Sequence, residues 1–152
     1  MEDDMNTSLP SRLLKEVVLS KPKVISVVKG IGSFVTLSVA AEETDLFSNK
    51  PEQIWVYLCD WLIHYEGEVI LTSNNIDDDL CIKALNRIKG SSIVCFSEHD
   101  KKITIKFNDG IIWTLIPNRE IYEEDDDIFI LYFQDKSTLS YSLEKGFYFE
   151  AQ

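Results

Sequence analysis

Short apolar runs separated by turn-forming residues recur along most of this chain, and they constrain its fold more than any other feature. Two clear examples are residues 103–107 and 111–116, which are joined by Asn108-Asp109-Gly110. Asp-Gly favours the tight turns of β-hairpins, and runs of about four to eight residues rich in Val, Ile and aromatics are typical of strands. The pattern therefore predicts a chain built mainly of antiparallel β-sheet.

The stretch 54–65 has the strongest alternation in the sequence. Its odd-numbered residues are aromatic or apolar, whereas its even-numbered residues become polar towards the end. Alternation with a period of two predicts a single strand that buries one face. The side chains expected on that face are Trp55, Tyr57, Cys59, Trp61, Ile63 and Tyr65. The other predicted strands are 23–29, 33–40, 69–71, 93–96, 103–107, 111–116, 128–133, 139–143 and 147–149.

Two segments have the spacing of helices. Residues 75–89 carry apolar side chains at intervals of three and four, acids in the first turn, and Gly90 directly after the end. Acidic residues near the start and a glycine after the end are typical of helix termini. A shorter helix is predicted for 10–19, with Pro10 in its first turn.

These elements predict an α+β fold, mostly antiparallel β-sheet, with one central helix at about 75–89 and a short N-terminal helix. We expect one domain over residues 1–152, with residues 1–9 frayed. Two β-rich halves, about 23–73 and 91–150, would each form a sheet and be joined by the central helix.

The net charge of the chain favours some classes of binding partner over others. Its 15 Lys and Arg residues are outnumbered by 26 Asp and Glu residues, which gives a formal net charge of −11. Repulsion from phosphate and from anionic lipid disfavours binding to nucleic acid or to membrane surfaces, and attraction favours a basic protein. The acidic start and the lack of a long apolar stretch predict a soluble, cytoplasmic protein.

No catalytic or metal-binding pattern stands out. Cys59 and His64 would lie on opposite faces of the predicted strand, so they could not act as a nucleophile and its base. Gly30-Ile31-Gly32 lacks the third glycine and the helix of a dinucleotide loop. Asp77–Asp79 lack the later ligands of a calcium loop. The sequence therefore predicts a protein that is not an enzyme and that needs neither cofactor nor metal.

The most unusual local feature is a run of acids between two predicted strands. Most charge runs are simply solvated, but a tyrosine among the acids would add a contact of the kind enriched at interfaces. We therefore predict that this segment binds a basic partner, with the acidic segment 42–52 as an alternative face. The predicted binding residues are Glu120, Tyr122, Glu123, Glu124, Asp125, Asp126 and Asp127.

Two parts of the sequence carry a resemblance. Gly30-Ile31-Gly32-Ser33-Phe34, followed by the Trp-x-Tyr-x-Cys-x-Trp pattern of residues 55–61, resembles a set of small bacterial proteins of uncharacterised function. Residues 85–90 and 103–115, with their Phe-Asn-Asp-Gly turn, are similar to the β-rich part of bacterial immunity proteins, including those of contact-dependent growth inhibition. The similarity covers about residues 24–150 and brings in no catalytic residue.

The resemblance implies an immunity protein that binds one cognate toxin domain, often a nuclease, and blocks its active site or substrate groove. The acidic charge agrees with this, because a nuclease presents Lys and Arg to phosphate. The main alternative is a non-catalytic module for a small ligand, with a pocket between sheet and helix lined by Trp55, Trp61 and Trp113. An enzyme is the third.

Overall fold

The computed structural model describes residues 8–42, 49–74 and 77–152, and it confirms an α+β fold of mostly antiparallel sheet. Two helices are present in these ranges, α1 (Leu9–Leu19) and α2 (Asp78–Asn86). The strands are β1 (Pro22–Lys29), β2 (Val35–Ala41), β3 (Pro51–Val56), β4 (Asp60–Tyr65), β5 (Glu68–Thr72), β6 (Ile93–His99), β7 (Lys102–Phe107), β8 (Ile111–Ile116), β9 (Asp127–Phe133), β10 (Thr138–Ser142) and β11 (Gly146–Glu150).

The strands form two sheets, and each sheet takes strands from both halves of the chain. The first has the order β1-β2-β3-β9-β10-β11, and the second has the order β5-β4-β8-β7-β6. The prediction that each half forms its own sheet is therefore wrong. The reason is long-range pairing, because β3 pairs with β9 and β4 pairs with β8, and the central helix lies between the partners in the sequence.

One hydrophobic cluster fills the space between the two sheets. Phe96 of the five-stranded sheet contacts Phe129 of the six-stranded sheet, with ring centroids 5.7 Å apart. The Tyr141 hydroxyl, on the inner face of β10, donates a hydrogen bond of 2.7 Å to the Glu98 carboxylate on β6. The sheets are thus held together by apolar packing and by a direct polar link at one edge.

The stretch 54–65 is two strands rather than one. The buried residues are Ile54 and Val56 in β3, then Trp61 and Ile63 in β4, so the alternation changes phase at residues 57–59. At that point the chain leaves the six-stranded sheet and enters the five-stranded one. Trp55 and Tyr57 therefore do not share a buried face with Trp61, contrary to the prediction.

Helix α1 confirms the predicted N-terminal helix. The Ser8 hydroxyl accepts a hydrogen bond of 3.3 Å from the backbone N–H of Ser11, which caps the first turn. Its buried residue is Val17, and the helix packs against β6 and β11. Two sheet edges, one from each sheet, are therefore brought together by α1.

Helix α2 is shorter than the predicted helix 75–89. Asp77 is its N-cap, and its carboxylate accepts hydrogen bonds from the backbone N–H groups of Asp79 and Leu80. Residues 75 and 76 lie outside the described residues. The chain continues from Asn86 in turns to Gly90, whose φ of 91° suits glycine. Asp77 therefore caps the helix, directly before the first turn in which the sequence predicted it.

Candidate protein-binding surface

The structure places the predicted acidic residues together in one loop between β8 and β9. This acidic loop, residues 120–127, ends at the first residue of β9. Glu120, Glu123, Glu124 and Asp125 are exposed, whereas Tyr122, Asp126 and Asp127 are half-buried. Several carboxylates therefore face solvent within a short span, and Tyr122 lies among them.

Hydrogen bonds hold the backbone of the acidic loop in place. The Asn118 side chain accepts a bond from the Glu120 N–H and donates one of 2.9 Å to the Asp60 carboxylate. Further on, the Asp126 carboxylate accepts a bond of 2.9 Å from the Glu123 N–H. The Glu124 carbonyl accepts a bond of 2.9 Å from the N–H of Glu144, in the β10–β11 turn. The loop is therefore tied to both sheets.

Asp127 differs from the other acids because it lies against the sheet. Its Oδ1 accepts a hydrogen bond of 2.5 Å from the Tyr148 hydroxyl on β11. Burial raises the pKa of the Asp127 carboxyl, with the nearby Glu150 adding to the effect, although the bond from Tyr148 acts in the opposite direction. The ionised carboxylate is thus held in a place that disfavours its charge.

The raised pKa of Asp127 predicts a pH-dependent stability. A folded-state pKa above the unfolded value means that stability falls as pH rises between the two values, and the whole cost is present above them. Asp127→Asn removes this charge and keeps an oxygen that can accept from Tyr148. We expect the variant to melt at a higher temperature than the wild type at pH 7, and the difference to vanish below the unfolded pKa of about 3.9.

Thermal melts of both proteins between pH 3 and pH 7 measure this. Asp125→Asn is the matched control, because it makes the same change of charge at an exposed position and is expected to have little effect. A wild type that is equally stable or more stable than Asp127→Asn at pH 7 would contradict the prediction.

The outer face of the six-stranded sheet carries aromatic side chains. A row of directly paired residues crosses all six strands on this face: Val28, Thr36, Trp55, Ile130, Ser140 and Tyr148. The next row on the same face contains Tyr132. The alternating row through Leu37, Ile54, Leu131 and Leu139 is buried, so it faces the core. The aromatic row therefore points away from the five-stranded sheet.

Five half-buried rings make up this surface, which we call the aromatic face: Phe34, Trp55, Tyr57, Tyr132 and Tyr148. Trp55 contacts three of the others, with ring centroids 5.1 Å from Phe34, 6.0 Å from Tyr57 and 4.9 Å from Tyr132. Burial and then the neighbouring Asp127 carboxylate raise the pKa of Tyr132. Asp127 thus belongs both to the acidic loop and to the aromatic face.

Sequence reasoning missed the aromatic face because it assigned Trp55 and Tyr57 to the core. The sequence does contain a signal for the observed orientation. Ile54 and Val56 are β-branched residues of a strand, and if they are buried, Trp55 and Tyr57 lie on the opposite face. The length of the alternating run hid the change of phase at residues 57–59.

Small residues in β10 allow Tyr148 to reach Asp127. Ser140 and Ser142, which are almost completely buried, lie in the strand between β9 and β11. The ammonium group of Lys145 lies 4.6 Å from the centroid of the Tyr148 ring. A cation from this chain therefore already contacts one ring of the aromatic face.

The three tryptophans do not line one pocket, so that part of the small-ligand alternative is wrong. Trp61 and Trp113 pack against each other inside the core, with ring centroids 5.3 Å apart, and Trp55 lies on the outer face. A cavity of about 590 Å³ does lie between α1 and two strands. Its walls are Ser11, Leu14, Lys15, Val18 and Leu19 of the helix, residues 94–98 of β6, and Phe147 of β11.

The candidate catalytic residues are not brought together. The Cys59 thiol is buried and donates to the Ile128 carbonyl at 3.7 Å, and burial raises its pKa, with the Asp60 charge adding to the effect. His64 lies in β4 and is half-buried, on the side of the strand opposite to the buried Trp61 and Ile63. Among the described residues, no three His, Cys, Asp or Glu side chains are arranged to hold a metal ion.

Comparisons with protein families, with curated proteins and with solved structures found no match to this chain. Within the described ranges, neither helix has the length and apolar character needed to cross a membrane.

Proposed function

We propose that this chain is an immunity protein that binds a cognate toxin domain, such as a nuclease, and neutralises it by forming a stoichiometric complex. The observation that carries the proposal is the acidic loop: exposed carboxylates on a backbone that is hydrogen-bonded to both sheets. A loop held in this way can present negative charge at a fixed position. It therefore needs less ordering on binding than a flexible acidic tail.

The charge of the whole chain supports the same partner. A net charge of −11 attracts a basic surface over a long range, and the loop concentrates part of that charge next to Tyr122. A nuclease must present Lys and Arg to its phosphate substrate, so an acidic protein can cover that surface without any chemistry of its own. The sequence resemblance to immunity proteins points in the same direction.

Co-expression tests the proposal. A candidate toxin domain, sought among the products of the adjacent genes, is expressed alone and together with the chain, and cell growth is recorded. We expect the chain to restore growth and to co-elute with the purified toxin domain as a complex of defined stoichiometry. Normal growth inhibition in the presence of excess folded chain, with no complex on size-exclusion chromatography, would overturn the proposal.

The cavity beside α1 supports a second candidate function, the binding of a small apolar ligand. Its volume of about 590 Å³ lies within the range of about 300 to 1,000 Å³ that is usual for ligand pockets, and its walls are largely aliphatic and aromatic. A hydrophobic dye that binds the wild type but not Val18→Asp would support this function. Equal binding by both proteins would argue against it.

A further inference from the structure

We infer that the aromatic face, together with Asp127, is the part of the binding surface that holds arginine side chains of the basic partner. The inference rests on the proposed function and adds to it the class of group that is recognised. The acidic loop would attract the partner, and the aromatic face would then contact its guanidinium groups directly.

The first support is the chemistry of the face. Faces of Trp and Tyr rings attract cations, and a guanidinium group can also stack flat on a ring. Trp55, Tyr57 and Tyr132 form a connected set of half-buried rings on one side of the sheet. Because these rings are already packed against one another, binding would cost little side-chain entropy.

The second support is the position of Asp127 at the edge of these rings. Its Oδ1 accepts from the Tyr148 hydroxyl, and within the described part of the chain its Oδ2 has no hydrogen-bond partner. A carboxylate beside aromatic rings can pair with a guanidinium group while that group stacks on a ring. A lysine ammonium could make the charge contact but not the flat stacking.

The third support is the contact that the chain makes with its own cation. Lys145 lies over the Tyr148 ring at 4.6 Å, next to the Asp127–Tyr148 hydrogen bond. This part of the surface therefore accepts a positive group at a ring face. Lys145 itself is exposed, but the acids Glu123, Glu124 and Glu150 are exposed as well and outnumber it, so the surroundings favour a basic protein over an acidic or neutral one.

The apolar surroundings of the face suit a protein partner rather than a free amino acid. Val28 is 61% exposed, and Ile31, at the tip of the loop before Phe34, is 97% exposed. An apolar and aromatic centre with a charged rim is the usual arrangement of a protein interface. The face and the acidic loop are continuous through Asp127, so one partner can cover both.

Titration with two short peptides tests the inference. The probes are hexa-arginine and hexa-lysine with blocked ends, which carry the same charge and differ in the shape of the cation. We expect the wild type to bind hexa-arginine about three- to tenfold more tightly than hexa-lysine by calorimetry at low salt. Tyr57→Leu and Tyr132→Leu should each reduce that preference, because leucine keeps the apolar bulk and removes the ring.

Tyr65→Leu is the matched control. Tyr65 is also half-buried and also contacts a cation, Arg87 at 4.9 Å, but it belongs to the five-stranded sheet. The Tyr65→Leu variant should bind hexa-arginine and hexa-lysine with the same affinities as the wild type. NMR spectra of the wild type give a second measurement that does not depend on variants: hexa-arginine should shift the indole signal of Trp55 and leave those of Trp61 and Trp113 in place.

The outcomes separate this inference from the proposed function. Equal affinity for the two peptides, or an unmoved Trp55 signal, would overturn the inference, and growth protection by the chain would still stand as evidence for the function. Conversely, an arginine preference that depends on Tyr57 and Tyr132, in a chain that fails to protect cells, would support the inference and reject the immunity role.

Discussion

Neutralising Glu123, Glu124 and Asp125 is expected to slow association with the basic partner about tenfold at low salt. The change is Glu123→Gln, Glu124→Gln and Asp125→Asn, all at exposed positions of the acidic loop. It leaves Asp126 in place, because that carboxylate holds the turn through the Glu123 N–H. The physical reason is long-range attraction, which raises the rate of encounter before any contact forms.

Stopped-flow kinetics with the toxin domain, at salt concentrations from about 0.01 M to 1 M, measure the effect. The Debye length falls from about 30 Å to about 3 Å over this range, so the difference between the variant and the wild type should shrink as salt increases. The dissociation rate should change less than the association rate, because exposed charges at a rim act mainly on encounter.

A matched variant separates the loop from the net charge. Glu66→Gln, Glu68→Gln and Asp100→Asn change the charge by the same amount, at exposed residues in the turns of the five-stranded sheet or, for Glu68, at the first residue of β5. If attraction is focused at the acidic loop, this variant should associate almost as fast as the wild type. Equal slowing of both variants would mean that net charge alone steers the partner, and unchanged rates in both would remove steering altogether.

The sequence predicted helices and hairpins well where a few neighbouring residues determine the structure. The Asp-Gly turn and the alternating apolar residues on either side specify the β7–β8 hairpin, because turn type and strand register are set within a few residues. The N-terminal helix and the β4–β5 hairpin follow for the same reason. The acidic loop was also predictable, because its acidic residues are close together in the sequence and lie between two predicted strands.

The division into sheets was not predictable in the same way. Pairing of β3 with β9 joins residues more than seventy positions apart, and the sequence of neither strand indicates which strand it pairs with. Residues 57–59 connect β3 of one sheet to β4 of the other and contain no Gly or Pro. The alternation of buried and exposed residues therefore shows no break in the sequence. The aromatic face depends on that break, which is why it emerged only from the folded structure.

The two core tryptophans are expected to differ in their contributions to stability. Trp61 donates its indole N–H to the Ser33 carbonyl at 2.6 Å, and this bond ties β4 to the loop that precedes β2 in the other sheet. The indole N–H of Trp113 is buried and, among the described residues, has no hydrogen-bond partner. The rings are otherwise similar, since both are at most 2% exposed and they pack edge to face.

Replacing each tryptophan by phenylalanine isolates this difference, because both changes remove the same atoms. Trp113→Phe leaves a small cavity but relieves an unpaired donor, so it should cost about 1 to 2 kcal/mol of the free energy of unfolding. Trp61→Phe leaves a similar cavity and also deprives the Ser33 carbonyl of its donor, so it should cost about 1 to 2 kcal/mol more. Urea denaturation of the two variants and the wild type measures both values. If Trp113→Phe proves the more costly, the hydrogen bond from Trp61 to the Ser33 carbonyl contributes little to the stability of the fold.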